Sequence, residues 1–296
     1  IPYQVTSMVS KYKDSDLKVY VVFVHAHMAV RCRKSLELFS MKNLFAIVSI
    51  RNDLFEVFVE RNFKLFMSLF YLLIFKKHFC YITFNSLEAT RLGRAIFGNK
   101  VRYVPNLIDR DISNKIRNKN VVQKFLYIGR FENQKNIVNL LEASYLLSSR
   151  GYDFEITLIG EGSLHGEIEG FIAKKNLSDV IKLEPYSTNI FSYLNKADAM
   201  ILTSYYEGFP NVLLEALSQN TFLICTPFRS GAREVIINEN VGYLTNGFSG
   251  ASIADAMQKY IDVAPVQDVS MVKNILDNYS YTRFSSALKN LLESCE

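Results

Sequence analysis

Two glutamates flank a helix start in the segment SYYEGFPNVLLEALSQN, residues 204–220. Glu207 precedes the predicted helix, and Glu215 falls about one and a half turns inside it. Pro210 suits the first turn, because its missing N–H would have no partner within the helix. The N–H groups of the following residues and the helix dipole favour a phosphate group; these residues are Asn211, Val212 and Leu213. By spacing alone, a solvent-exposed Glu215 is equally compatible with the pattern.

Two cations follow a predicted strand in YIGRFENQKN, residues 127–136. The strand ends at Gly129, and Arg130 and Lys135 fall in the loop that leads into the next helix. Positive side chains at this position suit a diphosphate, because the charge of a leaving group must be neutralised as its bond breaks. Considered alone, the two residues also fit an ordinary charged surface.

The second half of the chain alternates apolar, β-rich runs with helical stretches, which predicts a doubly wound parallel sheet with helices on both faces. Strands are predicted at 124–129, 154–160, 180–184, 199–203, 221–226 and 242–245. Ligands of such sheets bind beyond the carboxyl ends of the strands, where both candidate segments fall.

The first 110 residues show the same alternation, with strands predicted at 19–24, 44–50, 79–84 and 101–105. The polar stretch 106–120 has no apolar periodicity and is interpreted as a linker. A chain of 296 residues is long enough for two domains.

Charge is unevenly distributed along the chain. Residues 1–120 carry 20 Lys and Arg against 9 Asp and Glu, whereas residues 121–296 carry 14 against 20. A basic half can attract nucleic acid, an anionic membrane or an anionic substrate, and charge alone does not choose among them. The four cysteines form no metal-ligand spacing, and a reduced compartment without disulfides is expected.

The second half resembles the donor-binding domain of retaining glycosyltransferases with the GT-B fold, the family 4-like group 1 enzymes. Several motifs occur in order between Phe125 and about Gly247: GRFENQKN, IGEGS, NKADAMILTSYYEGFPNVLLEALS and SGAREVI. The central motif, two glutamates separated by seven residues, is Glu207 to Glu215. The resemblance implies an α/β protein with two Rossmann-like domains of doubly wound parallel sheet that face a cleft. It implies an acceptor-binding domain at 1–112, a nucleotide-sugar-binding domain at 113–278 and a helix at 279–296 that packs back toward the first domain.

Carried over residue by residue, the resemblance implies a donor site that needs no bound metal and no cofactor. Arg130 and Lys135 would bind the donor diphosphate and, with Glu207, form the catalytic group. Glu207 would hold the donor sugar, and Glu215 would bind the ribose hydroxyls. The remaining donor-binding positions are Gly129, Gly160, Gly162, Gly208, Phe209, Pro210, Asn211, Val212 and Leu213. A nicotinamide enzyme is rejected, because Gly166 breaks the GxGxxG spacing that begins in the IGEGS turn.

The first half resembles the family less closely. Many relatives carry a histidine after the strand that matches IVSI, where Arg51 and Asn52 stand here. These two residues, with His25 and His27 from the preceding strand end, are the acceptor-side candidates; a structural role for the histidines remains open. The family's first strand and its glycine-bearing loop are expected to precede Ile1, which would make the first domain incomplete at its N-terminus.

The resemblance implies transfer of a hexose or N-acetylhexosamine from a nucleotide-diphosphate sugar with retention of anomeric configuration. A UDP-sugar is favoured over a GDP-sugar as the donor. The expected acceptor is a glycan or a lipid-diphosphate-linked glycan in bacterial O-antigen, lipopolysaccharide or capsule synthesis, and no nucleic acid partner is expected. We expect a cytoplasmic protein at the inner face of the membrane. The apolar segment 63–77 is compatible with peripheral contact to an anionic membrane and equally with a core helix.

Two other functions remain open from the sequence. A nucleotide-sugar epimerase of the same fold would turn over the donor without an acceptor. A catalytically silent or nucleic-acid-binding protein would use the basic half, although no nucleic-acid-binding motif occurs.

Overall fold

The computed structural model describes residues 17–25, 44–51, 63–75, 79–108, 112–113 and 122–295. The chain divides into two compact units. Unit 1 comprises Ile1–Leu107 together with Tyr281–Glu296, and unit 2 comprises Ile108–Ser280.

The elements of unit 1 up to the linker are strands and helices in alternation. They are β1 (Val19–Val24), β2 (Leu44–Ile50), α1 (Phe63–Phe75), β3 (Tyr81–Phe84), α2 (Leu87–Phe97) and β4 (Val101–Tyr103). Those of unit 2 are β5 (Gln123–Ile128), α3 (Ile137–Ser149), β6 (Phe154–Ile159), α4 (His165–Lys174), β7 (Ile181–Glu184), α5 (Ile190–Lys196), β8 (Ala199–Leu202), α6 (Asn211–Ser218), β9 (Phe222–Cys225), α7 (Ala232–Val235), β10 (Gly242–Leu244), α8 (Gly250–Val263) and α9 (Val269–Asp277). The last helix, α10 (Tyr281–Glu293), belongs to unit 1.

Unit 1 holds a parallel sheet in the order β1-β2-β3-β4. The strands form because their sequences are runs of β-branched and aromatic residues. Their inward side chains, with Leu72 of α1 and Phe97 of α2, make one apolar core. The C-terminal helix α10 is tied to this unit by two tyrosines: Tyr20 donates its hydroxyl to the carbonyl of Leu292 at 3.3 Å, and Tyr81 to that of Ser294 at 2.7 Å.

Unit 2 holds a six-stranded parallel sheet in the order β10-β9-β8-β5-β6-β7. Both faces are buried, as the alternation along β5 shows: Phe125 and Tyr127 lie in one apolar cluster, and Leu126 lies in the other. The chain leaves β5 toward β6 on one side and later returns to β8 on the other. The order of the strands therefore reverses between β5 and β8, and ligands of such sheets bind at the carboxyl ends of the strands at this kind of position.

The strands predicted at 19–24 and 44–50 are confirmed without a shift, and the six predicted in the second half are confirmed to within two residues at either end. The strand predicted at 79–84 is shorter and begins at Tyr81. The division between the two units falls between Leu107 and Ile108, inside the stretch 106–120 that was interpreted as a linker. Ile108 and Ile112 pack against the second cluster of unit 2, and the N–H of Ile108 donates to the carbonyl of Tyr279 at 2.8 Å. The apolar side chains attach this stretch although they show no periodicity.

Among the described helices, none combines the length and the apolar character that crossing a bilayer requires.

Candidate functional site

The candidate site lies at the carboxyl ends of β5 and β8, where the strand order of unit 2 reverses. Two loops meet there. We call residues 129–136 the β5 loop and residues 203–210 the β8 loop. The sequence-predicted residues Arg130 and Lys135 lie in the first, and Glu207 lies in the second. The topology thus brings together side chains that are more than 70 residues apart in the chain.

Lys135 and Glu207 form an ion pair across the two loops. Lys135 Nζ donates to Glu207 Oε1, and the two side chains are 14% and 12% exposed. Ser204, fully buried, donates its hydroxyl to the same oxygen at 2.6 Å. Within the described part of the chain no donor contacts Oε2 of Glu207, and this oxygen is not sealed from solvent. The carboxylate is therefore held at one oxygen and can accept from a substrate hydroxyl with the other.

Arg130 is exposed at the start of the β5 loop. Its Nη2 donates to Gln134 Oε1 at 3.4 Å, and its carbonyl accepts from the hydroxyl of Tyr127 at 3.2 Å. Burial, reinforced by the negative charge of Glu207, raises the pKa of Tyr127, so this hydroxyl remains a donor at neutral pH. Lys135 is paired with Glu207, so the exposed guanidinium of Arg130 is the more accessible of the two cations.

The β5 loop is anchored by the turn that follows β6. The N–H of Phe131 donates to the carbonyl of Glu161 at 2.8 Å. A methyl group at Gly160 would overlap the carbonyl oxygen of Gly129, and one at Gly162 would lie 2.6 Å from the carbonyl carbon of Phe131. The two glycines are needed for this close approach of backbones. Their position beside a nucleoside remains a prediction.

The helix α6 begins after Pro210, which is its N-cap and not its first helical residue. Of the three N–H groups expected to be exposed, that of Leu213 is not, because it donates to the carbonyl of Pro210 at 3.1 Å. The side chain of Phe209 is also turned away from solvent and packs on Tyr279, with ring centroids 5.1 Å apart. Only the main chain of Phe209 can therefore contact a ligand. Glu215 is half-buried in α6.

Three residues at the site escaped the sequence analysis. Ser204 and Thr203 were missed because hydroxyl residues near a strand end are common and carry no spacing signal. Thr203 donates its hydroxyl to the carbonyl of Lys135 at 2.7 Å and so joins the two loops. Gln134 was missed because a single amide beside a lysine has no chemical signature. It donates Nε2 to the carbonyl of Tyr206 at 2.9 Å.

The acceptor-side candidates are described in part. His25 follows β1 with a φ of 74°, and its N–H donates to the carbonyl of Ser49 at 2.7 Å. Arg51 is exposed directly after β2, the strand paired with β1. The two residues therefore lie at the same edge of the unit 1 sheet. His27 and Asn52 lie outside the described residues.

In the described ranges, no group of three or more His, Cys, Asp or Glu is placed to hold a metal ion. A pocket of about 470 Å³ lies at the edge strand β10, lined among others by Asn238, Tyr243 and Lys259. None of the predicted site residues lines it.

The family model for glycosyl transferases group 1 matches residues 109–275, more than half of the chain. A relative from Campylobacter jejuni, N-acetylgalactosamine-N,N'-diacetylbacillosaminyl-diphospho-undecaprenol 4-alpha-N-acetylgalactosaminyltransferase, is 29% identical over 166 residues, covering 56% of this chain and 40% of the relative. The chain spans 40% of the length of this relative, 66% of that of a glycosyltransferase from Methanocaldococcus jannaschii, and 55% of that of the lipopolysaccharide 1,6-galactosyltransferase of Escherichia coli.

Two solved structures share the architecture. The lipopolysaccharide outer core galactosyltransferase WaaB in its apo form matches with a TM-score of 0.75 at 18% identity, over 99% of this chain and 79% of that one. Anabaena Alr3699/HepE in complex with UDP matches with a TM-score of 0.75 at 15% identity, over 98% of this chain and 82% of that one. With its two parallel sheets and alternating helices, the chain has the GT-B fold, and it belongs to the glycosyl transferases group 1 family.

Proposed function

We propose that this protein is a glycosyltransferase that moves a hexose or N-acetylhexosamine from a nucleotide-diphosphate sugar to a glycan acceptor in bacterial cell-surface polysaccharide synthesis. The observation that carries the proposal is the convergence of Arg130, Lys135 and Glu207 at the strand-order reversal of unit 2, beside the N-terminus of α6. Family membership supports the activity.

The chemistry proposed for this site is separation of charge at the bond between sugar and diphosphate. As that bond breaks, negative charge develops on the departing diphosphate, and donors fixed in advance lower the barrier because they need no reorganisation. Arg130 and Lys135 would supply cations, and the start of α6 would supply main-chain N–H groups and a dipole. Glu207 would orient the donor sugar through its Oε2, and Glu215 would bind the ribose.

We propose a UDP-sugar as donor, with retention of configuration and without a bound metal. The UDP bound to the Anabaena protein supports the choice of nucleotide. The departing diphosphate itself would accept the acceptor's proton on the same face of the sugar, which needs no covalent nucleophile. A test is product analysis by NMR with and without EDTA. A β-linked product from an α-linked donor would contradict retention, and loss of activity in EDTA would contradict metal independence.

We propose a lipid-diphosphate-linked acceptor at the inner face of the cytoplasmic membrane. The undecaprenol-linked acceptor in the name of the Campylobacter relative supports this choice. Helix α1 offers a surface for peripheral contact: Phe66, Phe70 and Ile74 are 50%, 47% and 51% exposed, and their spacing places them on one face. Leu72 on another face is buried in the unit 1 core.

The membrane proposal is tested by flotation with vesicles of anionic phospholipid. We expect the protein to float with them, and we expect Phe70→Ser to float less while retaining its thermal midpoint. Leu87→Ser, at an exposed leucine of α2, is the matched control. Equal flotation of all three proteins, or none with the wild type, would contradict membrane contact through α1.

The proposed function is tested by calorimetric titration of the protein with UDP, GDP and their sugar conjugates. We expect UDP to bind, and Arg130→Ala to weaken it by about tenfold or more, because hydrogen bonds to charged groups contribute about 1.5–3 kcal/mol. Arg150→Ala is the control, since this arginine lies at the opposite end of α3 and pairs with Asp255. If no nucleotide binds the folded protein, the donor site is refuted. Turnover of the sugar conjugate without any acceptor would indicate the epimerase instead.

A further inference from the structure

Gln134 lies at the centre of the contact between the β5 and β8 loops. Its carbonyl accepts from the N–H of Tyr205 at 2.9 Å, and its side-chain Nε2 donates to the carbonyl of Tyr206 at 2.9 Å. Its Oε1 accepts from Arg130 Nη2 at 3.4 Å. One residue therefore contacts both the exposed cation and the loop that carries Glu207.

The position of Gln134, in the loop that follows β5, makes this contact important. Strand β5 pairs with β6 over six residues but with β8 over only two, Phe125 with Ala199 and Leu126 with Met200. Beyond these pairs the ladder between β5 and β8 gives no support to the loops. Gln134 adds two hydrogen bonds between the loops after the ladder has ended, one from its main chain and one from its side chain.

The side-chain amide of Gln134 can satisfy both of its partners in only one orientation. A carbonyl oxygen, that of Tyr206, must receive a donor, so the nitrogen faces it. A guanidinium, that of Arg130, must meet an acceptor, so the oxygen faces it. A carboxylate at this position would satisfy the arginine and repel the carbonyl, whereas alanine would release both.

We propose that Gln134 is a positioning residue of the donor-diphosphate site, which fixes the direction of the Arg130 guanidinium by anchoring it to the β8 loop. This inference rests on the proposed function. Gln134 need not touch the nucleotide: it restricts the rotamers of Arg130, so that less conformational entropy is lost when the guanidinium binds a phosphate.

The test is titration with UDP of the wild type, Gln134→Ala, Gln134→Glu and Arg130→Ala, together with the double variant Arg130→Ala/Gln134→Ala. We expect Gln134→Ala to weaken UDP binding several-fold. We expect Gln134→Glu to weaken it at least as much, because the new carboxylate would hold Arg130 in an ion pair. In the double variant, loss of Gln134 should add little to the loss caused by Arg130→Ala, since residues that act through one another are not additive. Gln219→Ala is the matched control, a half-buried glutamine whose Nε2 donates to Ser218 at 3.3 Å.

Thermal midpoints of all variants are measured alongside, and if Gln134→Ala fails to fold, the isosteric Gln134→Glu carries the comparison. Wild-type affinity in both Gln134 variants, or full additivity in the double variant, overturns the positioning role while leaving the donor site intact. If UDP does not bind the wild type, or binds Arg130→Ala as tightly, the donor site itself is refuted and the positioning role with it.

Discussion

Removal of the Ser204 hydroxyl should cost more stability than its size suggests. The side chain is fully buried, and it donates to Glu207 Oε1 at 2.6 Å. Because the acceptor is a carboxylate in a mostly buried ion pair, the hydrogen bond belongs to the charged class, which contributes about 1.5–3 kcal/mol. We therefore expect Ser204→Ala to lower the free energy of unfolding by about 2 kcal/mol.

The matched control is Ser144→Ala in α3. Ser144 is equally buried, and it donates at 2.9 Å to the carbonyl of Leu140, a neutral acceptor one helical turn away. That carbonyl retains its helical N–H partner after the substitution, and alanine favours a helix interior more than serine does. The free energy of unfolding should therefore change by less than about 1 kcal/mol.

The assay is equilibrium unfolding in urea, followed by circular dichroism because the chain contains no tryptophan. Both serines lie in unit 2, so the same transition reports both changes even if the two units unfold separately. A Glu207→Gln background tests the cause: with a neutral acceptor, the cost of Ser204→Ala should fall toward that of the control. The reasoning is refuted if Ser204→Ala and Ser144→Ala destabilise the wild type equally.

Three more predictions concern the scaffold of unit 2. Gly160→Ala should lower the free energy of unfolding in urea by about 1–3 kcal/mol or more, because the added methyl group overlaps the carbonyl of Gly129. Gly166→Ala is the control and should not destabilise, because nothing lies within 4 Å of the new methyl group. Equal losses in the two variants would contradict the clash. The hydrogen bond from Ser270 lowers the pKa of Asp268, the N-cap of α9, below its ordinary 3.8. The contribution of the Asp268 carboxylate to stability is complete above its ordinary pKa and is lost as pH falls through its lower pKa in the folded protein. Acid should therefore lower the thermal midpoint of Asp268→Asn less than that of the wild type. Parallel curves of midpoint against pH would disprove this linkage. Burial raises the pKa of Cys225, which is fully buried, so mass spectrometry should find this thiol unalkylated in the native protein and alkylated in urea; rapid native labelling would contradict its burial.

The strands of unit 2 could be predicted because each is a short apolar run bounded by polar or glycine-containing turns. A strand buried on both faces leaves this pattern in the sequence whatever its neighbours are. The placement of Arg130, Lys135 and Glu207 after strand ends could be predicted for a related reason, and their roles in binding a donor stay predictions. Helix capping was predicted less well: Pro210 lies one residue before the helix, and the Leu213 N–H is occupied.

Only the tertiary structure decided which residues meet. The order of the strands places β5 beside β8, and from this placement follow the ion pair of Lys135 with Glu207 and the bridging role of Gln134. Local sequence carries no record of such pairings, because the partners are about 70 residues apart and each alone resembles an ordinary polar residue. The sequence by itself determined the elements, the family and the principal charged groups through local periodicity and motif spacing. The tertiary structure determined the contacts that orient those groups, because hydrogen bonds between loops depend on the packing of the whole sheet.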